Sequence, residues 1–154
     1  VLGDKSPGYV LQYDPILERR PNCKFIIAIR DCRQVVASCL RWKDERPEES
    51  WVSDNFDDSI SMWVKFSQKT IELKEKLGDS CLIVKYENAV IHPKQTLKDI
   101  SKFVGYNFNM DKPLKELYYP VNLHSWKEEI PTINQSLTED ALRIMEYFNY
   151  DIHA

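Results

Sequence analysis

Two short apolar runs, KFIIAI (24–29) and CLIVKY (81–86), limit most tightly what this chain can fold into. Neither alternates apolar with polar residues. Such runs suit strands covered on both faces in a parallel sheet, which need a crossover connection between them. Each run is followed by helix signals. After the first, Asp31 and Gln34 have the D-x-x-Q spacing of a capping box, and Val35, Val36, Cys39 and Leu40 supply an apolar face. After the second, His92-Pro93 opens a helix whose apolar positions are Leu97, Ile100, Phe103 and Val104, with Gly105 where a terminating glycine belongs.

The rest of the chain fits the same alternation. Asp14-Pro15 predicts a short helix over 15–20 that stops at Pro21. Ile60, Trp63, Phe66, Ile71, Lys74 and Leu77 predict a long one, closed by Gly78. Ser136 and Glu139 repeat the capping-box spacing ahead of Leu142, Met145 and Phe148. Residues 41–58, charged and interrupted by Pro47, read as a long loop or broken helix, and 106–135 has no readable period. Strand alternating with helix predicts an α/β layer fold, one domain over 1–154. Two strands are few for a sheet, so part of it is expected to be missing or unread.

Composition narrows the function classes. A chain of 154 residues with 43% hydrophobic and 29% charged side chains can bury a core, and a net charge of -3 gives no nucleic-acid footprint, so any anion site must be local. The four cysteines form no C-x-x-C pair and read as reduced core thiols of a cytosol-like, cytoplasmic setting. No run approaches the ~18 apolar residues of a membrane span. His92, His124 and His153 lack metal-ligand spacing, so no metal is expected. The opening VLGDKSPGY has no initiator methionine, and a fragment of a longer protein is expected.

Ligands of open α/β sheets bind outside the carboxyl ends of the strands, and Arg30 stands at such an end. Its guanidinium offers a fork of donors to a phosphate, and the helix starting just after it adds oriented backbone amides. Ser38, two helical turns further on, faces the same side. Spacing alone leaves open a plainer reading, in which Arg30 pairs with Asp31 at the surface and Ser38 bonds back to its own helix.

The stretch KFIIAIRDCRQVVAS (24–38) closely resembles the strand-turn-helix of the sulfotransferase family, usually R-D-P-R-D-x-x-x-S, and the interval of seven residues between Arg30 and Ser38 matches without a gap. Three more segments are similar in order and distance: GDKSPGY (3–9) to the family's E-K-S/T-P-x-Y, LIVKYEN (82–88) to its V-x-Y-E-D strand end, and HSWKEEI (124–130) to its W-R/K-x-x-L start of the last helix. The resemblance implies a partial P-loop-like fold with parallel strands flanked by helices. It implies the co-substrate PAPS (3′-phosphoadenosine 5′-phosphosulfate), with Arg30 and Ser38 on the 3′-phosphate and Tyr86 near the adenine. The acceptor would be a hydroxyl or amine on a small molecule or carbohydrate.

Departures from the family pattern are equally specific. Cys32 stands where the family has proline. No counterpart of the glycine-containing loop that cradles the 5′-phosphosulfate is present, and Pro7 after Lys5-Ser6 removes the histidine base used by some branches. Lys5 is the candidate to face the sulfate or acceptor, with a solvated lysine as its alternative. Asp4 and Lys127 read as surface residues. Two other functions stay open: a non-catalytic sulfotransferase-like interaction module and a P-loop kinase-like nucleotide binder.

Overall fold

A computed structural model describes residues 2–48, 55–108 and 123–153. The chain divides into two compact units, one of residues 1–29 and 69–121, the other of residues 30–68 and 122–154.

The first unit holds the sheet. A 3-10 turn at Pro7–Leu11 leads into α1 (Tyr13–Arg19), then β1 (Phe25–Ile29), the end of α3 (Phe56–Leu77), β2 (Cys81–Lys85), α4 (Tyr86–Ile91) and α5 (Pro93–Val104). β1 and β2 pair in parallel, Phe25 opposite Cys81 through Ile29 opposite Lys85, as the two unalternated apolar runs require. The expectation that both faces are covered fails for β1, because Ile26 is 43% exposed and Ala28 is exposed beside it. Among the described residues the sheet is two strands wide, and that side of β1 stays open.

Helix ends in this unit follow local chemistry. α1 begins at Tyr13, two residues before the predicted start, with Asp14 and Pro15 inside its first turn, where backbone N–H groups have no intrahelical acceptor and proline costs nothing. α5 starts on Pro93 and stops at Gly105 in the left-handed region (φ 70°), where the N–H groups of Gly105 and Tyr106 both return to the Ser101 carbonyl. At the end of α3, Gly78 is also left-handed (φ 51°), and Lys74 Nζ donates to the carbonyls of Gly78 and Cys81 at 2.8 Å each. That lysine ties the helix end to the first residue of β2.

The second unit is helical. It contains α2 (Cys32–Glu45), the first part of α3, α6 (Trp126–Glu129), α7 (Ile133–Ser136) and α8 (Glu139–Tyr147). α2 buries Cys32, Val36 and Ala37 on one face, and full burial of a side chain such as Val36 stabilises by about 1.5–3 kcal/mol. The helix runs through 41–45, so the broken helix, the second of the two readings of 41–58, describes the start of that segment, and it ends at Arg46 because a residue before proline is steered out of the helical region. Residues 49–54 of that predicted loop, and 109–122 of the unread stretch, lie outside the described residues. The last helix is capped by Thr138, whose hydroxyl accepts from the Ala141 N–H at 3.2 Å, and Ser136, the predicted cap, instead closes α7.

Candidate anion site at the start of helix α2

Arg30 directly follows the last residue of β1, and Asp31 is the N-cap of α2. The Asp31 carboxylate accepts from the Arg33 N–H at 2.9 Å, a cap to the second helical residue in place of the bond to the Gln34 N–H that the capping-box spacing predicts. It is also gripped by the Arg33 guanidinium, Nε at 3.0 Å and Nη2 at 2.7 Å. Both side chains are nearly closed off from water, at 3% and 12% exposure. Arg33 is fixed from its other sides by the Asp151 carbonyl at 2.7 Å, Asn134 Oδ1 at 3.3 Å and the Trp126 ring at 4.2 Å. A carboxylate at a helix N-terminus would repel an anion there, and Arg33 offsets that charge.

Arg30 itself is half-buried and held at both ends. Its carbonyl accepts from the buried indole of Trp63 at 2.9 Å, which fixes the backbone where strand becomes helix. Its side chain meets Gln34, which is only 1% exposed. With Oε1 toward the guanidinium, Gln34 accepts from Arg30 Nη2 at 3.0 Å and from Ser125 Oγ at 3.0 Å, while Nε2 donates to the Leu123 carbonyl at 2.7 Å. The reverse orientation would leave a donor to Ser125 but set oxygen against the Leu123 carbonyl and nitrogen against the guanidinium, so the network decides the amide. Sequence spacing cast Gln34 as the returning arm of a capping box. The amide instead joins Arg30, one helical turn back, to Leu123 and Ser125, about ninety positions on, and nothing local in the sequence signals that distant pair.

The other expected site residues are placed as follows. Ser38 is half-buried on α2, two turns beyond its start, in the same unit as Arg30. Tyr86 and Lys5 belong to the other unit. Tyr86 is half-buried and opens α4 immediately after β2, so it begins a helix where the sequence suggested the end of a strand. Lys5 is exposed, and its backbone N–H donates to Asp4 at 2.8 Å. Asp4 also accepts from the Tyr9 hydroxyl, and that bond, with the Lys5 N–H second, holds its carboxyl below the usual carboxylate value. A carboxylate so tied and so exposed is a poor general base. Lys127 is exposed too, with its ammonium 5.4 Å from the Trp126 ring.

The cysteines are all free. Burial pushes the Cys32 thiol far up and, less strongly, those of Cys39 and Cys81. The Arg30 charge partly opposes the rise at Cys39. Among the described residues no cluster of His, Cys, Asp or Glu could hold a metal, and no helix is long and apolar enough to cross a membrane.

A family model described as "Sulfotransferase family" matches residues 1–110. The chain is 31% identical over 110 residues to protein-tyrosine sulfotransferase 2 of Gallus gallus, covering 70% of this chain and 29% of that protein. It is 23% identical over 177 residues to the Drosophila melanogaster protein-tyrosine sulfotransferase, covering 99% and 35%. The chain thus spans less than half the length of the curated relatives it matches. Among solved structures it resembles the sulfotransferase domain from the curacin biosynthetic pathway (TM-score 0.68, 21% identity, 96% of this chain and 62% of that one). A second match is the sulfotransferase domain from the Synechococcus olefin synthase (TM-score 0.69, 24% identity, 96% and 58%). At these identities the likeness speaks for the fold, the α/β arrangement expected from the sequence.

Proposed function

The chain belongs to the sulfotransferase family, and from that premise we propose that it forms the 3′-phosphate-binding portion of an enzyme that moves a sulfuryl group from PAPS to a hydroxyl or amine acceptor. The observation that carries this reading is Arg30, set at the end of β1 and the start of α2 with its guanidinium held by Gln34 and its backbone by Trp63. A guanidinium presents its N–H donors in a planar fork, and a phosphate takes two of them in parallel. Asp31, the carboxylate nearest in sequence, is already offset by Arg33.

In this reading Arg30 and Ser38 bind the 3′-phosphate and Tyr86 lies against the adenine, a base that an aromatic ring can stack on. Lys5 faces the sulfate or acceptor. The acceptor is a small molecule or carbohydrate hydroxyl or amine. The protein-tyrosine sulfotransferases similar to this chain add a tyrosine phenol to the hydroxyls worth testing. In the transfer, the S–O bond to the donor phosphate breaks, a new S–O bond forms to a hydroxyl acceptor or S–N bond to an amine, and the acceptor proton leaves to a base.

The test is to incubate the protein with PAPS and candidate acceptors and to follow both products. Release of adenosine 3′,5′-bisphosphate matched by sulfated acceptor is the expected result. If the protein is stabilised against heat by adenosine 3′,5′-bisphosphate yet transfers nothing to any acceptor class, the non-catalytic module replaces the enzyme. If that ligand produces no stabilisation, the phosphate-binding reading fails as well.

A further inference from the structure

We propose that Gln34 is a positioning residue, which orients the Arg30 guanidinium for an anion through a buried relay to Ser125 and Leu123. The inference rests on the phosphate-binding role given to Arg30 above. Arginine side chains carry ~2 kcal/mol of rotamer entropy, so an anion that must first order one binds more weakly than an anion that meets it already ordered.

Three features of Gln34 suit that task. It is fully buried, so its amide must be satisfied within the protein. Its Nε2 bond to the Leu123 carbonyl at 2.7 Å fixes which way the amide faces, and this leaves Oε1 toward Arg30 Nη2 at 3.0 Å, with the Ser125 hydroxyl donating to the same oxygen at 3.0 Å. Its oxygen is neutral, so it holds the guanidinium without cancelling the charge an anion needs. Glutamate, which has the length of glutamine, would reach the guanidinium with a full charge and compete with the phosphate. Ser125, itself buried, immediately precedes α6, so the relay links the start of α2 to a segment about ninety residues away.

The readout is selectivity rather than affinity alone. Dissociation constants for adenosine 3′,5′-bisphosphate and adenosine 5′-monophosphate are measured by calorimetry, and their ratio reports what the 3′-phosphate adds. Gln34→Met keeps the length of the side chain and removes the acceptor. The expected result is a ratio about tenfold smaller, the equivalent of one charge-assisted hydrogen bond, with 5′-monophosphate binding unchanged. Gln34→Glu keeps the shape and adds the competing charge, and the ratio is expected to fall at least as far.

If both ligands weaken equally in Gln34→Met, the residue is merely structural and the proposal is overturned. An unchanged ratio overturns it too. Should Gln34→Met not fold, Gln34→Glu decides alone by the same ratio. Arg30→Ala is measured beside them. A ratio that survives Arg30→Ala defeats the assignment of Arg30 itself, whereas a ratio lost in Arg30→Ala but kept in both Gln34 variants defeats only the positioning role.

Discussion

Replacing Arg33 by methionine keeps most of its length and removes its charge, and several contacts are lost at once. The Asp31 carboxylate loses two charge-assisted bonds, at 3.0 and 2.7 Å. The Asp151 carbonyl loses a donor at 2.7 Å. The Trp126 ring loses a cation stacked 4.2 Å from its centre. Because the pair is only 3% and 12% exposed, water cannot step in fully, and removing one member of a buried pair typically costs about 3–5 kcal/mol. For a chain of this size each kcal/mol is worth roughly 2–4 °C in melting temperature, so a drop of roughly 6–20 °C is expected. The cap from Asp31 to the backbone N–H of residue 33, at 2.9 Å, needs no side chain and persists. Thermal and urea denaturation at neutral pH measure the loss. The double variant Asp31→Asn, Arg33→Met removes the charge left behind and is expected to recover much of it, at the smaller expense of a weaker cap. A single-variant loss below about 1 kcal/mol, the worth of an exposed ion pair, would refute the argument, because the pair would then be behaving as a surface contact. No recovery in the double variant would refute it equally.

Two further outcomes follow from local geometry. Gly105→Ala should cost about 1–2 kcal/mol in urea denaturation, because φ is 70° there while no atom lies within 4 Å of the added methyl, making the penalty purely one of backbone conformation; no loss would mean that α5 ends differently. Cys32 and Cys81 are expected to resist alkylation in the folded protein and react once it is unfolded, and rapid labelling of the native state would contradict their burial. Since burial raises the Cys32 thiol above its ordinary value of 9.0, the unfolded chain ionises first as pH climbs, so stability contributed below pH 9 is lost above it. Cys32→Ser or Cys32→Ala should flatten that alkaline decline in a pH series of melting curves.

The legible part of this protein is what neighbours in sequence decide. The runs at 24–29 and 81–86 announce the parallel pair, Asp31 announces its helix, and Gly105 announces a helix end, because each depends on a few adjacent residues. Cover and partnership were less readable. An apolar run says that Ile26 suits burial but not what lies over it, and Ile26 is half open to solvent. Ser136 and Thr138 both suit a cap, and the choice of Thr138 turns on where α7 stops. α4 is six residues long and follows β2 without a break, too short for a period to show. At the candidate site, Arg30 and Ser38 could be picked out by type and interval. Gln34, Trp63 and Ser125 could not, since Trp63 and Ser125 come from distant segments and a glutamine three residues after a capping aspartate has a simpler local use.

The central claim is that Arg30 binds the 3′-phosphate of a sulfuryl donor, and one comparison addresses it without reference to acceptor or turnover. Calorimetric titration of the protein and of Arg30→Ala with adenosine 3′,5′-bisphosphate and adenosine 5′-monophosphate isolates what that guanidinium does. Loss of a bidentate pair, about 1.5–3 kcal/mol for each charge-assisted bond, predicts that the preference for the bisphosphate falls by about a hundredfold or vanishes while the monophosphate binds as before. A preference left intact by Arg30→Ala would contradict the account.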